Sequence, residues 1–341
     1  MTTNTGTTNT GTTNTGTTNT GTINTDMKVR VAKITPVADA VKRFRFERLD
    51  GQPMPVFSGG AHVIVSMRDG QVLRRNPYSL MSAPGDTSGY EISVLRVEKS
   101  RGGSAFLHEK LKEGDTLTLS QPVNLFPFDH RGKKHIMMAG GIGITPFMAM
   151  MDQMELQGRA FELHYGVRTR SHGAYWQALQ QRYGTHRVKI YCDEEKLFIP
   201  VDDILGNQPL GTHLYVCGPP GMISGVLDTA RHHGWPTENL HSEEFLAPPP
   251  GKAFQVKLAR SNRVIDVAPH QSILEAVEAA GIEAPYLCRG GACGQCETAV
   301  VSCEGEIEHN DHFLEPDEKA SGTKIMICVS RIRGNAITLD I

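Results

Sequence analysis

The stretch Cys288-Arg289-Gly290-Gly291-Ala292-Cys293-Gly294-Gln295-Cys296 places three cysteines within nine residues, in the spacing C-x4-C-x2-C. A fourth cysteine follows in an apolar run near the C-terminus. This spacing is typical of the plant-type 2Fe-2S cluster, whose irons are held by four thiolates. The three glycines of the loop allow the backbone to curl around a cluster and to direct amide groups at its sulfurs. The predicted ligands are Cys288, Cys293, Cys296 and Cys328.

A structural zinc site is the main alternative for these cysteines. Structural zinc commonly takes two close cysteine pairs, whereas only Cys293 and Cys296 form such a pair here, so the cluster is favoured. Cys192, Cys217 and Cys303 lie outside the pattern, and free buried thiols are their default interpretation. The odd total of seven cysteines, crowded toward the C-terminus, favours a reducing compartment over a secreted disulfide framework.

The cysteine loop lies in a predicted third domain, residues 253–341. An extended, proline-rich linker at 248–252 precedes this domain. Two strand-like runs are followed by a helix whose start is marked by a capping box of Ser272 and Glu275, and Gly281 supplies its C-terminal stop. A plant-type ferredoxin domain with an α+β fold is expected.

Residues 131–247 alternate predicted strands with helices, which indicates a parallel sheet covered by helices. One strand runs into the turn Gly140-Gly141-Ile142-Gly143-Ile144-Thr145-Pro146, with Thr145 as the predicted N-cap and Pro146 at the first helical position. A second turn, Cys217-Gly218-Pro219, follows another strand. Ligands of open α/β sheets bind beyond the carboxyl ends of the strands, so the two turns together predict a dinucleotide site.

Residues 27–130 contain several β-rich runs separated by turns, which indicates an antiparallel barrel or sandwich. Arg101-Gly102-Gly103-Ser104 precedes a short helical segment, and Ser104 as N-cap with two glycines is suited to one terminal phosphate. In Arg74–Leu80, at the predicted start of a strand, Tyr78 is placed to pack against a flat ring and Ser79 to offer a hydrogen bond. An ordinary helix cap and a buried tyrosine are the alternative interpretations.

Composition excludes several functions. The formal net charge is −2 and the pI is about 6.7, which gives no basic excess for nucleic acid. No stretch has the length and apolarity of a membrane-spanning helix, so we expect a cytoplasmic protein without membrane contact. Residues 1–26 repeat Thr, Asn and Gly with almost no apolar side chain, and are predicted to be a disordered tail.

Taken together, these motifs resemble the phthalate dioxygenase reductase family, in which an FMN barrel, an NADH domain and a plant-type ferredoxin with a β-grasp fold follow in that order. The resemblance covers residues 27–341. In its shorter motifs the sequence is most similar to the reductase components of carnitine, amine and vanillate monooxygenases. The resemblance implies a multidomain protein with FMN, NADH and a 2Fe-2S cluster as cofactors.

On the flavin side, the family has an R-x-Y-S segment, and Tyr78 and Ser79 match its last two positions. Asn76 stands at the arginine position with Arg75 one place earlier, so either side chain is a candidate for that flavin contact. The family's G-G-S motif, which binds the FMN phosphate, matches Gly102, Gly103 and Ser104. Arg96 on the preceding strand is a weaker phosphate candidate. A second nucleotide pocket is not evident in this domain, which favours FMN over FAD.

On the nicotinamide side, the resemblance implies NADH contacts from the first turn and a position near the nicotinamide for Cys217, Gly218 and Pro219. Phe245 matches an aromatic residue near the flavin. The same resemblance marks Ser79 and Cys217 as candidate catalytic residues. The predicted NADH contacts of the first turn are Gly140, Gly141, Gly143, Thr145 and Pro146.

The implied activity is a relay. NADH gives two electrons as a hydride, a 2Fe-2S cluster takes one, and flavin stands between them. The acceptor implied by the family is a terminal oxygenase, with a Rieske-type enzyme predicted and a P450, a diiron oxygenase or a soluble ferredoxin as alternatives. A non-enzymatic zinc module is the alternative from another class. Residues 253–341 carry a net charge of −5, from 13 Asp and Glu against 8 Lys and Arg, which is either a docking face or simply solvated.

Overall fold

The protein is described here from a computed structural model, which covers residues 26–246 and 250–341. The predicted tail therefore lies outside the described residues except for Asp26, as do residues 248–249 of the predicted linker. Three separate sheets follow one another along the chain, one antiparallel, one parallel and one mixed. This sequence of sheets confirms the predicted multidomain fold class.

The first sheet is an antiparallel barrel of seven strands. Six follow in the order β4-β3-β6-β1-β2-β5, and β7 pairs with β3. The Met81 amide just after β4 donates to the Glu91 carbonyl of β5 (2.8 Å), which links the two ends of the strand order. Its elements are β1 (Met27–Ala38), β2 (Val41–Arg48), β3 (Ala61–Asp69), β4 (Val72–Ser79), β5 (Tyr90–Leu95), α1 (Gly103–Glu109), β6 (Thr116–Leu119) and β7 (Val123–Asn124).

The second sheet is parallel, in the order β10-β9-β8-β11-β12, with helices between successive strands. The central strands β8 and β11 are almost wholly buried, as expected for a sheet that is covered on both faces. Its elements are β8 (Lys134–Gly140), α2 (Thr145–Leu156), β9 (Ala160–Val167), α3 (Trp176–Tyr183), β10 (Val188–Cys192), α4 (Val201–Leu205), β11 (Thr212–Cys217), α5 (Pro220–His232) and β12 (Leu240–Glu243).

The third sheet is mixed, in the order β14-β13-β17-β15-β16, and encloses its own apolar core with helix α6. The Ser272 and Glu275 capping box is present at the start of α6, and Gly281 follows its end with a φ of +73°, as predicted. Its elements are β13 (Phe254–Leu258), β14 (Arg263–Val267), α6 (Ile273–Ala279), β15 (Glu297–Glu308), α7 (Pro316–Ser321), β16 (Lys324–Met326) and β17 (Arg331–Leu339).

The barrel and the parallel sheet make direct polar contacts. The Ser93 and Tyr175 hydroxyls are 2.6 Å apart, and the Gly59 amide donates to the Gln153 side chain (2.7 Å). Gly59 also lies against the backbone of α2, where a Cβ would come within 2.6 Å of the Met150 Cα. Among the described residues, no helix is long and apolar enough to cross a membrane.

Candidate functional site

A cleft of about 1200 Å³ lies where the barrel, the parallel sheet and the cysteine loop meet. Residues from all three units line this single cavity. From the barrel and the parallel sheet come Asn76, Tyr78, Ser79, Gly103, Ser104, Gly140, Gly141, Gly143, Thr145, Gly218, Pro219 and Phe245. The cysteine loop contributes Cys288, Arg289, Gly290 and Ala292.

Strand β4 forms the barrel wall of the cleft. The Asn76 side-chain amide donates to the Tyr78 hydroxyl over 3.4 Å. Burial raises the pKa of Tyr78 to about 12, although the hydrogen bond with Asn76 acts in the opposite direction. Tyr78 is therefore a neutral ring with a fixed hydroxyl at neutral pH. Ser79 is buried at the end of the strand and also lines the cleft.

Two predicted flavin-domain arginines point elsewhere. Arg75 donates through Nη1 to Glu278 Oε2 in the third domain (2.6 Å) and does not line the cleft. Arg96 donates to Glu109 on α1 and to the Val97 carbonyl, and it too lies outside the lining. Of the two candidates for the R-x-Y-S arginine position, Asn76 is thus the side chain that faces the cavity.

The predicted phosphate loop differs in detail from its sequence interpretation. Helix α1 begins at Gly103 with Gly102 as N-cap at a φ of +100°, so Ser104 is not the N-cap. Instead the Ser104 hydroxyl accepts a hydrogen bond from the Val97 amide (3.2 Å). The N-cap position has a left-handed φ, which favours glycine. The sequence interpretation assigned this position to Ser104 because serine is a commoner N-cap than glycine.

Buried cations surround this loop. Arg74 donates through Nε to the Arg101 carbonyl (2.9 Å), and the Nη1 atoms of both arginines are buried without a hydrogen-bond partner. A Cβ at Gly103 would lie 2.2 Å from the Asn76 amide nitrogen, so the loop is packed closely against β4. Each of these Nη1 atoms lies at ion-pair distance from a carboxylate, Arg74 from Asp69 (3.6 Å) and Arg101 from Glu275 (3.8 Å), without a hydrogen bond to it. A phosphate group bound at the glycine turn would give both atoms a hydrogen-bond acceptor.

The two glycine turns of the parallel sheet lie back to back at the ends of β8 and β11. Ala139 pairs with Cys217 in the register of these strands. A Cβ at Gly143 would overlap the Cys217 carbonyl oxygen at 2.2 Å, and one at Gly140 would come within 2.7 Å of the Pro219 ring. Glycine is required at these positions by the close approach of the turns, which is what the dinucleotide interpretation expects of them.

Thr145 and Pro146 differ from their predicted capping roles. A short 3-10 turn, Gly141–Ile144, precedes α2, and Ile144 is the N-cap. The Thr145 hydroxyl donates to the Ile142 carbonyl (3.0 Å) and so closes this turn instead of capping the helix. Pro146 is buried in the first turn of α2 and does not line the cleft.

The two candidate catalytic residues lie on either side of a buried carboxyl group. Cys217 at the end of β11 pairs in register with Glu243 on β12, and Ser79 is hydrogen-bonded to Glu243 across the domain boundary. Burial raises the pKa of Glu243 to about 8, with the hydrogen bond to Ser79 lowering it in part. Burial, with the charges of Glu243 and Glu244, raises the pKa of the Cys217 thiol well above its usual range.

Sequence reasoning did not single out Glu243 and His62, and both line the cleft. Glu243 Oε2 and His62 Nε2 are buried without a hydrogen-bond partner, so both atoms are free to bind a ligand in the cleft. Burial lowers the pKa of His62 to about 4, so its ring is neutral. The acidic pair Glu243-Glu244, just before Phe245, is the sequence feature that could have pointed to Glu243. A single histidine within a strand, such as His62, does not indicate a binding site.

The four predicted cluster ligands interact with one another, and the first of them, Cys288, lines the cleft. Cys288 interacts with Cys293 and Cys296 with Cys328, and electrostatic interaction also links Cys288 to Cys296 and Cys328. The Cys293 thiol, and then the backbone amides of Gly290, Ala292 and Cys293, lower the pKa of Cys288. A loop that directs amides at a cysteine sulfur fits thiolate ligation of an iron–sulfur cluster.

Two family models match the chain. Residues 118–240 match the N-terminal domain of dimethylamine monooxygenase subunit DmmA-like proteins, and residues 256–333 match the 2Fe-2S iron–sulfur cluster binding domain. The carnitine monooxygenase reductase subunit of Acinetobacter baumannii is 45% identical over 314 residues, covering 92% of this chain and 96% of that protein. The heme-dependent oxidative N-demethylase beta subunit of Ectopseudomonas mendocina is 44% identical, covering 92% and 99%.

The solved structure of phthalate dioxygenase reductase, described as modular for electron transfer from pyridine nucleotides to [2Fe-2S], superposes with a TM-score of 0.85. It is 33% identical and the match covers 93% of this chain and 98% of that one. This chain belongs to the phthalate dioxygenase reductase family. As a member of that family it is an NADH-dependent flavin iron–sulfur oxidoreductase, with FMN, NADH and a 2Fe-2S cluster as its cofactors.

Proposed function

We propose that this phthalate dioxygenase reductase family member is the reductase component of a two-component oxygenase whose terminal partner is of the Rieske type. One observation carries the reductase part of the proposal, which is that a single cleft is lined by the barrel, by both glycine turns and by the cysteine loop. The Rieske type of the partner is inferred from the family resemblance alone. Nicotinamide, flavin and cluster would therefore lie within one cavity. The bound flavin supplies the change from two-electron to one-electron transfer, and the protein supplies orientation.

On the flavin side, we assign the ring contacts to Asn76, Tyr78 and Ser79 and the phosphate contacts to Gly102, Gly103 and Ser104. Arg101 joins this phosphate set because it lines the cleft and its Nη1 atom is buried without a hydrogen bond. Arg75 and Arg96 are excluded because their guanidinium groups donate hydrogen bonds to carboxylates and neither residue lines the cleft. FMN content of the purified protein, measured by absorbance after release, tests this assignment through an Arg101→Gln variant.

On the nicotinamide side, the two glycine turns would hold the pyrophosphate and the nicotinamide ribose. Asp193 lines the cleft just after β10, where a carboxylate favours a 2′-hydroxyl over a 2′-phosphate. Of the two arginines after β9, Arg168 lines the cleft, whereas Arg170 is held by two hydrogen bonds to Glu195 (2.7 and 2.8 Å). The Asp193 carboxylate supports a preference for NADH over NADPH, and an Asp193→Ser variant should lose much of it in steady-state kinetics.

Ser79 and Glu243 together hold a proton beside the cleft. With a pKa of about 8, the Glu243 carboxyl is mostly protonated at neutral pH, and the hydrogen bond to Ser79 fixes its orientation. The orphaned Oε2 atom remains available to a bound ligand. Cys217 lies behind this pair, packed under the second turn, and shapes the wall on which the nicotinamide would rest. Phe245 also lines the cleft and is 41% exposed, which supports the predicted position of this ring near the flavin.

The electron path is tested directly on the purified chain. Under anaerobic conditions NADH should first bleach the flavin absorbance and then produce the reduced 2Fe-2S signal by electron paramagnetic resonance. Adding a Rieske oxygenase from the same gene neighbourhood should then reduce its cluster and restore the oxidised spectrum of this chain. A chain that binds zinc and no flavin would refute the proposal.

A haem-containing partner is the second candidate, because a 44% identical relative is named as a subunit of a heme-dependent N-demethylase. The same experiment separates the two partners. Reduction of a haem oxygenase shifts its Soret absorbance, whereas reduction of a Rieske oxygenase changes only its iron–sulfur spectrum.

The domain boundaries 27–130, 131–247 and 253–341 remain predictions, and so does a cytoplasmic location. Limited proteolysis of the full chain tests the boundaries, with cleavage expected first in the linker 248–252. Cell fractionation with immunodetection tests the location.

A further inference from the structure

Helix α6 of the ferredoxin domain presents two carboxylates to the flavin barrel. Glu275 and Glu278 are three residues apart and therefore lie on one face of the helix. Glu278 Oε2 accepts from Arg75 Nη1 (2.6 Å), and Glu275 Oε1 accepts from the Arg75 backbone amide (3.4 Å). The Arg101 guanidinium lies 3.8 Å from Glu275 Oε2. Both barrel arginines flank the proposed flavin site.

Glu278 also binds the cysteine loop. It accepts from Arg289, which directly follows the ligand Cys288, at 3.0 Å and through a second, shorter contact. The Arg289 side chain is only 3% exposed, and its guanidinium lies 3.9 Å over the Tyr286 ring. Arg289 has a φ of +52°, a left-handed conformation that is costly for any residue with a side chain.

The loop and the flavin strand are in direct contact at this point. A Cβ at Gly290 would lie 3.6 Å from the Pro77 Cγ, which is ordinary contact distance, and Pro77 is on the strand that carries Asn76 and Tyr78. Glu278 therefore links two arginines, one on each side of the boundary that electrons must cross. The Glu278 side chain is 18% exposed and that of Arg75 is 26% exposed, so solvent only partly screens this link.

We propose that Glu278 is a positioning residue for internal electron transfer, which fixes the cysteine loop against the flavin strand by binding Arg75 and Arg289 at once. This inference rests on the electron path proposed above. Glu278 takes part in no chemical step. Part of the acidic charge of the ferredoxin domain thus serves the contact within the chain, where the sequence suggested an external docking face or a solvated surface.

Removal of this carboxylate has a specific physical consequence. Two guanidinium groups, of Arg75 and Arg289, would face each other with no anion between them, and the left-handed Arg289 would lose the partner that holds it. Both effects act on the distance and orientation between flavin strand and cluster loop. Neither acts on the nicotinamide turns, which belong to another sheet.

The test compares Glu278→Gln with Glu283→Gln, a control at an exposed carboxylate just beyond the same helix. In anaerobic stopped-flow experiments on the full holoprotein, NADH should bleach the flavin at the wild-type rate in both variants. Appearance of the reduced cluster should slow about tenfold in Glu278→Gln, the factor that corresponds to about 1.4 kcal/mol in the docking equilibrium. It should not change in the control.

A readout that is independent of activity accompanies the kinetics. Hydrogen–deuterium exchange of the oxidised holoprotein should increase in α6, in the cysteine loop and in β4 of Glu278→Gln, while the parallel sheet stays unchanged. Wild-type exchange in these three segments, together with a wild-type rate of cluster reduction, would overturn the proposal.

A second variant covers the case in which Glu278→Gln loses its cluster. Arg75→Gln removes the barrel half of the link and leaves the pair of Glu278 and Arg289 intact, so iron content should be retained. Cluster reduction should again slow, and an unchanged rate in this variant overturns the proposal. If NADH does not bleach the flavin of the wild-type chain, the electron path itself is wrong.

Discussion

The cysteine loop and the cofactor cleft are built in opposite ways. The loop takes three of its four ligands from nine consecutive residues, and its own backbone amides surround the first of them. The cleft collects its lining from segments between Asp39 and Val329, which three different sheets hold in place. A site of the first kind depends on local chemistry, and a site of the second kind depends on how the domains are packed together.

The largest effect is expected at the local site. Cys296→Ser removes one thiolate ligand, so the cluster should be lost and NADH-dependent cytochrome c reduction should fall to background. Because the cleft does not depend on Cys296, NADH should still reduce ferricyanide through the flavin at close to the wild-type rate. Iron analysis and the two steady-state assays check this. Loss of both activities would mean that the loop also supports the flavin site.

A smaller effect is expected where the cleft depends on packing. In Gly143→Ala the new methyl group meets the Cys217 backbone carbonyl, so the two turns must separate. We expect a loss of about 1 to 3 kcal/mol in unfolding free energy and about a tenfold rise in KM for NADH. Gly85→Ala is the control, since open space surrounds Gly85. Urea unfolding and NADH titration check the prediction, and equal behaviour of both variants would contradict it.

A pH-dependent effect distinguishes the cleft from the loop further. Folding raises the pKa of Glu243 from about 4.5 to about 8, so the folded state holds an extra proton between these values. Wild-type stability therefore loses up to about 1.4 kcal/mol for each pH unit of rise across this window, through this group alone. Glu243→Gln lacks the dependence, so its stability relative to wild type should increase from pH 5 to pH 8. If the denaturant midpoints of wild type and Glu243→Gln differ by a constant amount over this range, the assignment is contradicted.

The smallest effect is expected at the capping box next to the cysteine loop. Ser272→Ala removes the hydrogen bond from the Glu275 amide to the serine hydroxyl (3.1 Å) and should cost about 1 kcal/mol of stability. Glu275 also faces the barrel, so cluster reduction should slow slightly as well. Thermal unfolding measures the first effect. A much larger loss would show that Ser272 supports more than a helix end.

The same contrast explains what the sequence could predict. The ligand spacing, the capping box of α6 and the two glycine turns are local patterns, and the structure contains each of them. Arg74–Leu80 was predicted to lie at the start of a strand, whereas β4 already begins at Val72 and ends at Ser79, because Arg74, Arg75 and Pro77 interrupt any apolar alternation that would mark its bounds. The prediction that Ser104 caps α1 was wrong because a left-handed glycine, Gly102, begins that helix. The prediction that Thr145 caps α2 was wrong because a 3-10 turn precedes that helix.

The partner of Arg75 could not be predicted from the sequence for a different reason. Nothing in the sequence states that Arg75 meets a carboxylate 203 residues further along the chain. The sequence did not point to Glu243, because its raised pKa comes from burial and its hydrogen-bond partner, Ser79, lies on another sheet. Such contacts follow from the packing of whole domains, and no window of sequence contains both members.

Helix α6 also limits which ferredoxin domains could replace the one in this enzyme. One face, with Ile273, Leu274 and Val277, belongs to the ferredoxin core, while the other carries the two carboxylates that meet the barrel. A foreign plant-type ferredoxin grafted after residue 252 would bring its own cluster and core. Without acidic residues at these two helical positions, the grafted ferredoxin would be tethered to the barrel but not positioned to accept electrons from the flavin.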